Sequence, residues 1–477
     1  MMEGKAKIVC TIGPSTNTVE ILVELIKAGM DVVRLNFSHG THYDHRKTLD
    51  SVYEATKRTG KEIAVLQDLQ GPKIRVGGLT SAFVELKSGS QFVLTTNQVA
   101  GDAKQISTNY VNLPNDVRPG DSILIDDGKL RLRIVEIKRR DVLCKVEVGG
   151  KLSAHKGINL PGTSISGPSL TEKDLQDLDF GLQNGVDYVA LSFVRAADDI
   201  RKLRNVITDR IENERFPPII AKIEKPQAID NIDAIIAEAD GIMVARGDLG
   251  VEMPPEDVPM LQKMIIRKCN RIGKPVIIAT QMLESMIHSP TPTRAEASDV
   301  ANAVVDGGDA LMLSGETSVG EYPIQAVQIM DRIIRKIESA RVGPAHALDR
   351  ELGVVDDRLD ALGRSACVLA EQMNASAIVV VTHSGATAKV VSHYRPRPKI
   401  IAVTDQARIL RQLSLVWGVY GIVIEDLNDD SDKALEKIQE RLVTAGLVTK
   451  GEYVVMLAGL PFFARGSANF IKVERAI

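Results

Sequence analysis

Eight short, almost uninterruptedly apolar runs, each followed by a longer stretch of helical period, constrain this chain more than any other feature. They are KIVCTIG (7–13), DVVRLNF (31–37), AVLQDLQ (64–70), YVALSFV (188–194), IIAKIE (219–224), GIMVARGD (241–248), PVIIATQ (275–281) and ALMLSGE (310–316). Continuous apolarity in so short a run marks a strand buried on both faces, as in a parallel sheet. Between the runs, Leu, Ile and Met recur at helical spacing, as in 19–28, 44–58 and 257–271. Eight β units with intervening helices predict a (β/α)8, or TIM, barrel, an α/β fold whose functional side chains gather where the strands end.

The interval from 70 to 188 is far longer than one helix needs, and its texture changes. AFVEL, QFVLT, SILIDDGKLRLRIVEI and DVLCKVEV are short alternating strands punctuated by Asp-Gly and Gly-Gly turns, which predict a small inserted β-barrel or sandwich. After 339 the pattern restarts, with a helix over 362–372 and strands at 377–382 and 399–404, the signature of an open α/β domain. The expected division is a barrel from 1–71 and 169–345, an inserted β domain over 72–168 and a C-terminal α/β domain over 346–477.

Composition removes several classes of function. A net charge of −3 gives no global basic field for nucleic acid or an anionic membrane, so any positive site is local. No apolar run approaches the roughly 18 to 20 residues that cross a bilayer, and a cytoplasmic protein is expected. Cys10, Cys144, Cys269 and Cys367 lack metal or redox spacing and read as buried, reduced thiols.

Polar residues concentrate at the predicted strand ends. The second run closes with Arg34, Asn36 and Ser38, and the third with Asp68. The fifth carries Lys222 and Glu224, the sixth Arg246 and Asp248, the seventh Thr280, and the eighth Ser314 and Glu316. Any one of these alone reads as a solvated loop charge; six strands contributing together read as a site. Glu224 and Asp248 are hard oxygen donors suited to Mg²⁺ that keeps part of its shell for substrate. Arg34, Arg75, Lys222 and Arg246 supply cations for a phosphoryl group or carboxylate. Lys222 and Glu224, two apart on one strand, project to the same side, which suits phosphoryl transfer. Neither a GxxxxGK[ST] loop nor a GxGxxG opening a βα unit is present.

RLNFSHG, DLQGPKIR, KGINLPG, AKIEKP, VARGDLG, ATQMLESM with PTRAEASDVANAV, and MLSGET follow one another in an order that resembles the pyruvate kinases across nearly the whole chain. The resemblance implies transfer of phosphoryl from phosphoenolpyruvate to ADP, giving pyruvate and ATP in glycolysis. It implies that Glu224 and Asp248 hold Mg²⁺ or Mn²⁺, that Lys222 stabilises the phosphoryl in flight, and that Thr280 belongs to the protonation path. Arg34 and Arg75 would grip phosphate groups, with Asn36, Ser38, Ser314 and Glu316 on the monovalent-cation or nucleotide side. Asp68, Lys73, Lys156, Arg246 and Gly247 join the substrate- and nucleotide-binding set. The inserted domain would be a lid that closes over ADP and excludes water.

The chain also departs from that pattern. Lys73 stands where many relatives carry Glu, the form that accompanies a K⁺ requirement, so activity independent of K⁺ is expected. The segment THSGATA (382–388) joins a strand to a helix, and Thr382, Ser384 and Thr387 would suit the phosphate of an allosteric effector; an ordinary capped turn is the competing reading. Ala386 there replaces an Arg common in relatives. Family habit implies a homotetramer. His39 and Trp417 read as structural residues. A barrel lyase that handles no nucleotide, and a silent metabolite sensor, are the competing functions.

Overall fold

The computed structural model describes residues 4–163, 165–211, 216–340, 357–425, 427, 431–459, 462 and 468–477. All eight apolar runs form strands: Lys7–Thr11, Val32–Asn36, Ala64–Asp68, Tyr188–Leu191, Ile219–Ile223, Gly241–Ala245, Val276–Ala279 and Ala310–Leu313. Each pairs in parallel with its neighbour, the third meeting the fourth across the insertion with Asp68 opposite Ala190. The eighth closes on the first, Ala310 opposite Lys7. The strands are shorter than the runs because the polar ends leave the ladder. Arg246 and Asp248 therefore lie in a helix, Arg246–Glu252, and Glu316 in the helix Gly315–Ser318, rather than on strands.

Period-two alternation sorts the strand residues. Val32, Leu66, Ala190, Ile220, Met243 and Ile277 fill the barrel interior, while their neighbours pack outward against the helices. The helices begin and end where local chemistry directs. Thr41 and Asp44 form a capping box for His42–Thr59, and Gly60, at φ 69°, closes it in the left-handed conformation. The helices expected over 19–28 and 257–271 are Val19–Ala28 and Val258–Arg271.

The insertion has its own core of Phe92, Leu94, Ile123, Leu132, Val142 and Cys144. Its main sheet has six strands, and Leu130–Lys138 begins with strict buried–exposed alternation. Asp126 and Asp127, at φ 54° and 56°, form the turn before Gly128. Segment 75–76 joins the two edges of the sheet, Arg75 bridging to Gly157 and Val76 to Thr108, so the expected barrel closes through isolated bridges.

The C-terminal domain is a five-stranded sheet ordered Val419–Val423, Lys399–Thr404, Ala377–Val381, Tyr453–Ala458 and Phe470–Arg475, the last strand antiparallel. The boundary expected at 345/346 lies outside the described residues. This domain docks on the amino-terminal end of the barrel. Leu415 joins the barrel interior cluster, Trp417 packs into the outer barrel core, and Lys7 Nζ donates to the Val419 carbonyl at 2.7 Å. Trp417 is thus a core residue at an internal domain junction, with Lys5 and Arg395 over its ring. All four cysteines are buried and unpaired. Among the described residues no helix is long and apolar enough to cross a membrane.

Candidate active site at the barrel mouth

The alternation that fills the barrel also builds its mouth. Two residues beyond Val32, Leu66 and Ile220 on the same faces come Arg34, Asp68 and Lys222, which form the next interior layer. A lone charge at this depth would be strongly disfavoured. Here the charges interlock. Asp68 accepts from Arg34 Nε at 2.7 Å and lies 3.2 Å from Lys222 Nζ. Lys222 also reaches Glu224 at 2.9 Å and donates to Ser192 Oγ at 2.7 Å. Arg34 donates in addition to Thr11 Oγ1 at 2.9 Å.

Burial alone would lower the pKa of the Lys222 ammonium, but Asp68 and Glu224 outweigh it and hold the group above the ordinary lysine value. Asp68 is likewise disfavoured as an anion by burial, yet Lys222 and Arg34 bring its pKa below the usual carboxylate value. Glu224 moves the other way: burial raises its pKa, Lys222 opposes, and the charge of Asp248 adds to the rise. Three carboxylates facing two buried cations leave an excess of negative charge beside Glu224 and Asp248. A divalent cation would relieve it. Among the described residues no group of three or more His, Cys, Asp or Glu side chains could hold a metal, so this pair would leave most of the coordination shell to water or substrate. That donor set fits Mg²⁺ or Mn²⁺.

A second set of cations lines the approach. His39 has a lowered pKa, first through burial and then through the charges of Arg75, Lys73 and Arg34. A cleft between the inserted domain and the barrel is lined by Lys73, Asp127, Phe193, Lys225 and Asp248 among others. Arg75 Nη1 donates to the His155 carbonyl at 3.0 Å, and Lys156 pairs with Asp126 at 2.9 Å, both within the lid. Asn36 accepts from the Ser38 amide at 3.1 Å.

Two expected site residues also make contacts that hold the loops. Both carboxylate oxygens of Glu316 accept backbone N–H groups, from Leu283 at 3.0 Å and Ser314 at 2.7 Å, and burial raises its pKa. Arg246 lies 2.7 Å from Asp299 and donates to the Thr280 carbonyl at 2.9 Å. Its target is a strained segment, since Thr280 and Gln281 have φ of 70° and 55°, uncommon for non-glycine residues and least favourable for a β-branched one. The Gly247 amide donates to Thr280 Oγ1 at 2.7 Å, and a Cβ on Gly247 would stand 3.2 Å from that oxygen. Arg246 and Gly247 thus set the position of Thr280. Ser314 Oγ is buried, without a hydrogen bond among the described residues.

The sequence reading missed the contribution of strand four. Ser192 bonds Lys222 and the Leu69 carbonyl, and the Phe193 amide donates to Glu224 at 2.7 Å from a backbone at φ 55°. The signal lies in YVALSFV, a predicted strand whose polar end carries Ser192. Also missed was the buried Lys225–Glu252 pair at 2.5 Å, to which Asn159 of the lid donates at 2.9 Å.

The far segment looks different. Thr382 Oγ1 accepts from the Gly385 amide at 3.0 Å, and Ser384 Oγ from the Ala386 amide at 3.5 Å, while His383 is 2.8 Å from Asp405. Thr387 is buried in the helix Ala386–His393.

Residues 3–327 match the family "Pyruvate kinase, barrel domain", and 360–474 match "Pyruvate kinase, alpha/beta domain". The chain belongs to the pyruvate kinase family. It is 45% identical over 475 residues to a pyruvate kinase of Geobacillus stearothermophilus, covering 99% of this chain and 80% of that relative. It is also 45% identical to one from Staphylococcus saprophyticus, covering 98% and 80%. A solved pyruvate kinase from Cryptosporidium parvum superposes with a TM-score of 0.93 at 39% identity, over 99% of this chain and 96% of that one. As a member of the pyruvate kinases the chain is a phosphotransferase, and the closed barrel with its C-terminal α/β domain is the family's architecture.

Proposed function

We propose that this pyruvate kinase moves the phosphoryl group of phosphoenolpyruvate to ADP at the barrel mouth, giving ATP and pyruvate in the cytoplasm. The observation that carries this reading is the charged Lys222 ammonium, buried against Glu224 and Asp68 with Arg34 alongside. The P–O bond to the enol oxygen breaks while a β-phosphate oxygen of ADP bonds to phosphorus, so negative charge spreads over the phosphoryl oxygens in flight. Lys222 faces that charge from a site shielded from water, where a fixed ammonium acts most strongly. Arg34, Arg75 and Lys73 grip the phosphate and carboxylate groups, with Asn36 and Ser38 alongside. Mg²⁺ or Mn²⁺ bound by Glu224 and Asp248 would supply Lewis-acid polarisation of the substrate oxygens.

The enolate left behind takes a proton on carbon. Thr280, held by Arg246 and Gly247, orients the water or hydroxyl that delivers it. The inserted domain over 72–168, with Lys156, closes over the nucleotide and excludes water. A lyase that never handles a nucleotide would not need such a lid. Lys73, whose charge acts on His39 together with that of Arg75, stands in for K⁺, and the enzyme works without that ion. At 382–388 the hydroxyl of Thr382 accepts the Gly385 amide and keeps its own proton to donate to a phosphorylated effector; replacing Thr382 and Ser384 by Ala tests the effector reading.

A lactate dehydrogenase-coupled assay with phosphoenolpyruvate, ADP and Mg²⁺ tests the function, and turnover is expected only with all three. The same assay in K⁺-free buffer should proceed at full rate; a many-fold loss restored by KCl would overturn the role given to Lys73. Light scattering tests the expected homotetramer.

A further inference from the structure

A second cation-rich cavity lies at the opposite end of the barrel, where the C-terminal domain docks. Its walls include Asn270, Lys274 and Asp309 from the barrel, and Lys389, His393 and Arg395 from the C-terminal domain. The charges there leave an excess opposite in sign to that of the mouth. Arg395 is neutralised by Asp309 at 2.7 Å. Among the described residues Lys274 Nζ donates only to main-chain carbonyls, Ala239 at 2.5 Å and Ala237 at 3.3 Å. Lys389 makes no hydrogen bond or ion pair among the described residues, although it projects from Ala386–His393 into the cavity. The acid whose charge acts on both lysines is Asp240, and it is occupied by Arg204 at 3.1 Å and by the Ile219 amide at 2.8 Å.

Two ammonium groups thus face a shared space without an anion of their own. Burial lowers the pKa of each; at Lys389 the charge of Lys274 lowers it further, while Asp240 opposes. An oxyanion between them would relieve both burial and repulsion, through charge-assisted bonds of the strong class.

We propose that this interdomain cavity binds a small oxyanion, a free phosphate or the phosphoryl group of a phosphate monoester, between Lys274 of the barrel and Lys389 of the C-terminal domain. The bound anion joins the two domains on the side away from the mouth. Lys389 follows the 382–388 segment directly in the helix Ala386–His393, but none of residues 382–388 lines this cavity among the described residues.

Calorimetric titration of the full chain with inorganic phosphate, and thermal melting with and without it, form the test. Lys389→Met should melt higher than wild type in anion-free buffer, because it removes a desolvated, unpaired charge. In phosphate the wild type should gain more than the variant, and the order should narrow or reverse. Lys389→Met and Lys274→Met should each weaken phosphate binding at this site about tenfold, with phosphate binding at the mouth and kcat unchanged. Lys389→Arg should retain binding. Glycerol phosphate titrated in parallel identifies the source: the same loss in the variants shows that the cavity accepts monoesters, and binding of phosphate alone shows a free oxyanion. Equal phosphate-induced stabilisation and affinity in wild type and both Met variants would overturn the proposal.

Discussion

The two ends of the same barrel use charge in opposite ways. At the amino-terminal end an aspartate precedes every second strand and accepts an amide from the strand before it. Asp31 takes the Ile8 amide, Asp187 that of Val65, Asp240 that of Ile219 and Asp309 that of Val276, all between 2.8 and 3.0 Å. This fourfold repeat ties strands in pairs, and two of its members reach the C-terminal domain, Asp187 through Arg411 at 2.8 Å and Asp309 through Arg395. The carboxyl-terminal end has no repeat. Arg34, Asp68, Lys222 and Glu224 differ in type from strand to strand and share partners across the mouth. A regular pattern of charge holds a regular object together, whereas an asymmetric substrate needs an asymmetric one.

Mutation can break or sharpen that contrast. The largest effect is expected at the mouth: Lys222→Met should lower kcat by about a thousandfold while Mn²⁺ binding, read by electron paramagnetic resonance, persists. Retained turnover would mean that this end too is only structural. Asp68→Asn should follow, lowering kcat by about a hundredfold through misplacement of Arg34 and Lys222, with the melting temperature recorded alongside to separate geometry from unfolding. At the other end Asp309→Ala should cost about 3 kcal/mol in chemical denaturation by orphaning the Val276 amide and leaving Arg395 without its counter-ion, with kcat within about twofold of wild type. A large kcat loss there would dissolve the distinction.

The smallest effect concerns pH. Burial, opposed by Arg411, pushes the Asp187 carboxyl up to about 6. A folded value above the unfolded one means that the native state takes up the proton first. The cost of the buried charge is therefore fully present above that value and is relieved as pH falls through it. Between pH 7 and 5 this group should add about 1 kcal/mol of stability on acidification. Asp187→Asn should lack that increment, and parallel denaturation curves for the two proteins across this range would contradict the assignment.

Much of the fold was legible because its signals are local. Near-continuous apolar runs specify doubly buried strands, and Asp127-Gly128 marks a hairpin turn inside the insertion wherever its neighbours end up. The fourfold aspartate repeat was also written in the sequence, as DVVRLN, DYVALS, DGIMVA and DALMLS, although its purpose appears only when strands pair. The mouth was readable in part. Lys222 and Glu224 share a strand, so their proximity follows from period two. The Arg34–Asp68–Lys222 chain needs three strands in register, one of them beyond the whole insertion.

The amino-acid sequence by itself determined which segments are strands and helices, where the barrel is interrupted, and which charged residues stand at strand ends. Tertiary structure decided which partners those charges take. The folded chain brings backbone amides to Glu316, and Asp299 with the Thr280 carbonyl to Arg246. The reason is physical: a buried charge takes whichever partner barrel closure brings within hydrogen-bonding distance, and that partner is set by strand register rather than by distance along the chain.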